Sequence, residues 1–170
     1  MGVRASRRGG LVSAGAVAPA PDGDVGKLAP KFNVAVTQAL AACTAAGLRA
    51  VVYEALRSEA LQRPYYARGR TAIPPTYTVT NARSNLFSWH GYGLAVDVIH
   101  ETQGWDAGNA WFAEVATHFR AADCRWGGEW KFKDLPHFQW GLCRPSPSDR
   151  ARQILAANGM AAVWAAVGAD

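Results

Sequence analysis

The chain has 170 residues and a mass of 18.2 kDa, with 49% hydrophobic and 18% charged residues. A globular chain of that length buries about 68–70% of the surface its unfolded form exposes, which excludes intrinsic disorder of the body and any need for disulfides. The net charge of +5 is concentrated at the start, where Arg4, Arg7 and Arg8 lie, and the body shows no basic stripe interleaved with aromatics, so nucleic acid is not an expected partner.

Residues 1–26 read as a flexible leader in which Ala, Gly and Pro dominate and no apolar period persists. Ala16-Val17-Ala18 imitates a signal-peptidase site, but the apolar stretch before it is poor in Leu, Ile and Phe. Synthesis in the cytoplasm without a secretory signal is therefore expected. A catalytic domain is expected over 27–145, with a C-terminal helical extension over 146–170. Phe32, Val36, Leu40 and Cys43 share one face of a helix over 31–46, and Gly47 ends it. The segment 48–55 reads as a strand that delivers Arg57, and Ser58 caps a helix running to about Arg68. A loop over 70–80 is fixed by Pro74 and Pro75. A second strand covers 93–99, and Asp106 is placed to cap a long helix that buries Trp111, Val115 and Phe119. Gly127-Gly128 turns between short strands, and 138–142 alternates as a further strand. Asp149 to Ala157 reads as helix, interrupted by Asn158-Gly159 before a last short helix. The stretch 160–169 is too short for the roughly 20 residues that span a bilayer. Without βαβ alternation or a Gly-rich phosphate loop, the class is α+β: a single domain with a small, mostly antiparallel central sheet flanked by helices.

Cys43, Cys124 and Cys143 are an odd set without Cys-x-x-Cys spacing, which fits a reduced compartment and neither a disulfide framework nor a thiolate zinc site. The chemistry lies elsewhere. In a strand from Gly93 onward, Leu94, Val96 and Val98 share the core face, while Asp97 stands on the other among the small side chains Gly93 and Ala95. His90 precedes that strand. In the segment 134–142, Phe138, Trp140 and Leu142 define one face, so His137 leans to the other beside Gln139. Two histidines and an aspartate form a three-ligand set that leaves a fourth position of a zinc ion open. Asp134 lies three positions before His137, where the Pro136 bend can bring its carboxylate over the site as a general base. Spacing alone leaves the opposite reading open, in which the histidines are structural and Asp97 pairs with an arginine. His100 and His118 are read as structural or exposed.

The run Ser88-x-His90-x-x-Gly93-x-Ala95-x-Asp97, paired with Asp134-x-Pro136-His137-x-x-Trp140, resembles the zinc peptidases of the D-Ala-D-Ala carboxypeptidase and L-Ala-D-Glu endopeptidase family (peptidase M15 type), which includes phage endolysins. Tyr53-Glu54-Ala55-Leu56-Arg57-Ser58, Gln62, Tyr66, Gly69-Arg70-Thr71 and Trp126-Gly127-Gly128 are similar to further family segments, so the resemblance spans about 28–142. It implies a Hedgehog and DD-peptidase-like fold and one Zn2+ per chain on His90, Asp97 and His137. It also implies Asp134 in the place of the catalytic carboxylate, Arg57 on the scissile carbonyl and its oxyanion, and Ser88 as a substrate contact. Many members carry Glu where this chain has Asp134. The implied substrate is the peptide stem of peptidoglycan, cut at L-Ala-D-Glu by a monomeric phage or prophage endolysin that acts on the wall after release. Two alternatives stand beside it: a D-Ala-D-Ala dipeptidase or carboxypeptidase, and a non-catalytic wall-binding zinc module.

Overall fold

The structure is a computed structural model and describes residues 19–170. The basic arm at Arg4 to Arg8 and the Ala16-Val17-Ala18 sequence lie outside the described residues.

Helix α1 (Pro30–Ala45) starts with proline at its first position, where a missing N–H costs nothing. It is followed by β1 (Ala50–Glu54), α2 (Glu59–Ala67), β2 (Ala95–His100), α3 (Gly108–Ala121), β3 (Cys124–Trp126), β4 (His137–Trp140) and α4 (Asp149–Ala166). The four strands form one antiparallel sheet in the order β1-β2-β4-β3. The α+β class and antiparallel sheet are as the sequence implies.

One face of the sheet makes the core. Leu94, Val96, Val98 and Phe138 are wholly buried with Phe32, Val36 and Cys43 of α1 and Val115 and Phe119 of α3. Phe119 and Phe138 stack with ring centroids 4.1 Å apart. Truncating Phe138 to Ala removes that stack and leaves a cavity, so urea denaturation of the metal-free chain is expected to show a loss of about 3–5 kcal/mol. A loss below about 1 kcal/mol would contradict this placement of the core.

Strand alternation then puts Asp97, His137 and Gln139 on the opposite face. Registers across the sheet align Glu54 with Asp97 and Asp97 with His137, which sets three polar residues in a row over three adjacent strands. The kinked α4 closes one end. Trp140 Nε1 donates to the Val167 carbonyl, Trp164 Nε1 donates to the Tyr92 carbonyl, and non-helical Gly159 breaks the helix where Asn158-Gly159 suggests a break.

Four details differ from the sequence reading. The ordered domain reaches back beyond residue 27, since the Asp22 carbonyl accepts from Ala55 N–H and Val25–Lys27 forms a 3-10 turn capped by Asp24. Residues 22–26 are thus held by backbone bonds that composition does not reveal. Asp106 does not cap α3; Ala107 occupies the cap position without a side-chain bond. In α3 Phe112 is buried, and Trp111 is half-buried with its indole donating to the Leu48 carbonyl. Leu142 is 72% exposed because β4 ends at Trp140. A turn closed by Cys143 N–H on the Trp140 carbonyl resets the phase and buries Cys143 instead.

Candidate metal centre

Three elements deliver the polar cluster. His90 rides on the 3-10 turn Trp89–Tyr92, which Gly93 ends in the left-handed region with φ 64°. A Cβ at Gly93 would stand 2.7 Å from the Lys27 carbonyl oxygen, so both conformation and space require glycine there. Asp97 comes from β2 and His137 from the start of β4. Gly127 lets the Asp134 loop close onto β4, because a Cβ there would meet the Asp134 carbonyl oxygen at 2.5 Å and the His137 Cβ at 3.1 Å.

Hydrogen-bond partners fix which ring nitrogens carry protons. His90 Nδ1 lies 3.0 Å from the Ala55 carbonyl, which only accepts, so Nδ1 donates and Nε2 keeps its lone pair. The Gln139 amide donates through its nitrogen to the carbonyls of Cys143 and Arg144, which turns its oxygen toward His137 Nε2 at 3.1 Å. His137 therefore donates through Nε2 and keeps the lone pair on Nδ1. The two lone pairs face each other across 3.2 Å, and Asp97 Oδ1 lies 3.2 Å from His90 Nε2 and 3.5 Å from His137 Nδ1. Three buried acceptors converge with no donor between them among the described residues, an arrangement that needs a cation. A proton on one ring is the smallest such cation; a metal ion satisfies all three atoms.

The charges agree. Burial pushes the Asp97 carboxyl up, but His90, His137 and the Arg57 guanidinium outweigh it and hold it well below the usual carboxylate range. Burial disfavours a charged His137, yet Asp97, which accepts from the ring once Nδ1 is protonated, and the nearby Asp134 carboxylate raise its pKa above the ordinary histidine value. In the metal-free chain this histidine contributes stability that is fully present below the unfolded-state pKa and is lost as pH rises through the folded-state value. Chelator-stripped protein is therefore expected to melt at lower temperature at about pH 8 than at about pH 6. A melting temperature that stays level or rises over that interval would contradict the His137–Asp97 coupling.

Asp134 is exposed, three residues before His137, and its carboxyl feels the charges of the cluster. Although solvent reaches it, crowding by protein raises its pKa above the ordinary value, and Asp97 pushes the same way against the pull of His137, His90 and Arg57. Arg57 is buried, and its N–H groups are largely committed: Nε and Nη2 to Glu54 Oε2, Nη2 to Asp97 Oδ2 at 2.9 Å, and Nη1 to Gln62 Oε1 at 3.2 Å. Tyr65 lies under the guanidinium, 5.0 Å from ring centroid to Cζ. Ser88 precedes the His90 turn and is half-buried; its hydroxyl makes no hydrogen bond among the described residues. His100 is half-buried and serves a turn, its Nδ1 accepting from Thr102 and Gln103 N–H, while His118 is half-buried within α3.

Sequence reasoning did not assign roles to Glu54, Gln62, Gln139 or Trp130. Trp130 packs against the His137 ring at 5.0 Å between centroids. The nearest signal was its place two residues beyond Gly127-Gly128 in an aromatic-rich loop, which does not by itself say what it covers.

Comparisons with known proteins bear on this geometry. The family described as D-alanyl-D-alanine carboxypeptidase matches residues 81–140, the stretch that carries His90, Asp97, Asp134 and His137. Among solved structures the chain is similar to the L-Ala D-Glu endopeptidase ChiX of Serratia marcescens, with 29% identity over 69% of this chain and 83% of the neighbour and a TM-score of 0.53. No curated protein matches the sequence.

Proposed function

Taking as premise the M15-type peptidase family that the family match and the solved neighbour support, we propose that this chain is a zinc-dependent peptidase of the peptidoglycan stem, cutting the L-Ala-D-Glu bond. The observation that carries the proposal is the triangle of His90 Nε2, Asp97 Oδ1 and His137 Nδ1, with edges of 3.2, 3.2 and 3.5 Å. Nitrogen and oxygen ligands at the usual zinc distances stand about 3.3 Å apart around a tetrahedral centre, and the spacing of these three atoms supports zinc as the ion they would hold. One Zn2+ per chain fits, and the carbonyls of Ala55 and of the Gln139 side chain orient the histidines as supporting groups do in zinc sites. Bound there, zinc supplies Lewis acidity to the reaction.

The chain's own residues supply the rest. Asp134, exposed and with a carboxyl held above its ordinary pKa, accepts the proton of the attacking water and returns it to the departing amine. Arg57 carries five N–H groups. Four are engaged with Glu54, Asp97 and Gln62, so one on Nη1 remains for the scissile carbonyl as charge develops on its oxygen. Trp130 shields the outer side of His137 from water. Ser88 contributes a substrate contact.

Among the described residues no helix is long and apolar enough to cross a membrane. We assign the protein to the setting of a phage or prophage endolysin, a monomer made in the host cytoplasm and acting on the wall after release; its basic balance favours an anionic polymer. Expression in a bacterial host is then expected to lyse cells only once the inner membrane is permeabilised.

The description of the matched family favours a second reading, release of the terminal D-Ala. Mass spectrometry of digested peptidoglycan separates the two. New amino termini at D-Glu support the endopeptidase, and release of D-Ala or D-Ala-D-Ala in their place moves the activity to the other bond.

A further inference from the structure

The pairing of β1 with β2 is regular from Ala50 to Val52 and then slips, so that Glu54, not Tyr53, stands opposite Asp97. A bulge of this kind re-aims a side chain, and here it turns a second carboxylate onto the polar face of the sheet. Glu54 is wholly buried. Two carboxylates opposed across adjacent strands repel one another. The Arg57 guanidinium lies between them: Glu54 Oε2 accepts from both Nε and Nη2, and only the second Nη2 hydrogen reaches Asp97, at Oδ2. Glu54 Oε1 is buried and accepts nothing among the described residues, where the grip of this carboxylate is exerted through one oxygen on Arg57.

A free arginine engages a carboxylate through two parallel bonds. In that pose it would occupy both oxygens of Asp97, including Oδ1, which faces the two histidines. Resting on the zinc reading above, we infer that Glu54 is a positioning residue of the metal centre: by gripping Arg57 it limits that cation to one oxygen of Asp97 and leaves the other for the metal. It also balances the guanidinium charge, so that the negative charge of Asp97 remains available to a divalent ion.

The test is a double-mutant cycle on zinc affinity, measured by competition with a chromophoric chelator for wild type, E54Q, R57Q and E54Q/R57Q. Glu54 acting through Arg57 makes E54Q bind zinc about 10–100-fold more weakly than wild type. The same change in the R57Q background is expected to alter affinity by no more than about threefold. An equal loss in both backgrounds, or no loss in either, overturns the inference. If E54Q does not fold, the R57Q and E54Q/R57Q pair decides alone: affinities within about threefold support the inference and a further loss of about tenfold overturns it. Wild-type protein that binds no zinc overturns the metal-centre reading together with the inference, whereas zinc-binding, active wild type with a flat cycle removes the inference alone.

Discussion

Replacing Asp134 with Ala is expected to lower peptidoglycan hydrolysis by about 10²–10⁴-fold, the usual worth of a positioned general acid or base, while zinc stays bound at one per chain. The separation follows from the geometry. His90, Asp97 and His137 converge without Asp134, which lies on a loop fixed by its own backbone bond to the Gly127 carbonyl. Loss of the side chain is therefore expected to remove the proposed proton acceptor and leave the His90–Asp97–His137 triangle standing. Hydrolysis by D134A at the wild-type rate, with zinc retained, would remove Asp134 from the mechanism. Should wild type bind zinc and wall without cleaving any of several wall types, the chain is a binding module.

His137→Ala has the opposite signature. The substitution deletes one ligand, strands the Gln139 amide oxygen and opens the space between Trp130 and His90. Zinc affinity is expected to fall by more than the roughly 10–100-fold that the loss of a supporting hydrogen bond costs. Hydrolysis disappears with it. An ion that binds the folded chain and not the unfolded one raises the melting temperature, so added zinc is expected to stabilise wild type and to leave the variant unchanged. Zinc bound to H137A at one per chain with wild-type affinity would show the ligand set to be wrong. D134A is expected to retain metal and lose turnover, and H137A to lose both, so the pair distinguishes a proton-transfer group from a ligand.

Much of the site was legible because it rests on simple periodicities. Alternation along 93–99 separates Val96 and Val98 from Asp97, and the same alternation separates Phe138 from His137 and Gln139, as the buried core and the polar cluster bear out. The antiparallel sheet that brings Asp97 beside His137 follows once both segments are strands. Other features have no local signal. The bulge at Tyr53 leaves the composition of β1 unchanged, so Glu54 reads as one more strand residue until pairing with β2 is seen. The Gln139 amide sets the His137 tautomer through carbonyls at Cys143 and Arg144, contacts that depend on the turn after β4. That same turn exposes Leu142, which simple alternation placed on the inner face. Arg57 shows a mixture: its delivery by β1 was legible, whereas its engagement by Glu54, Asp97 and Gln62 depends on tertiary contacts among β1, β2 and α2.

On the proposed mechanism, cleavage of the peptidoglycan stem requires a metal held by His90, Asp97 and His137. The most direct test of this claim is to strip the protein with a chelator, return zinc in fractions of an equivalent, and follow the amino groups released from purified peptidoglycan. Activity is expected to be absent without metal, to rise in proportion to the zinc added and to level off at one ion per chain. Full activity in the stripped protein would contradict the claim.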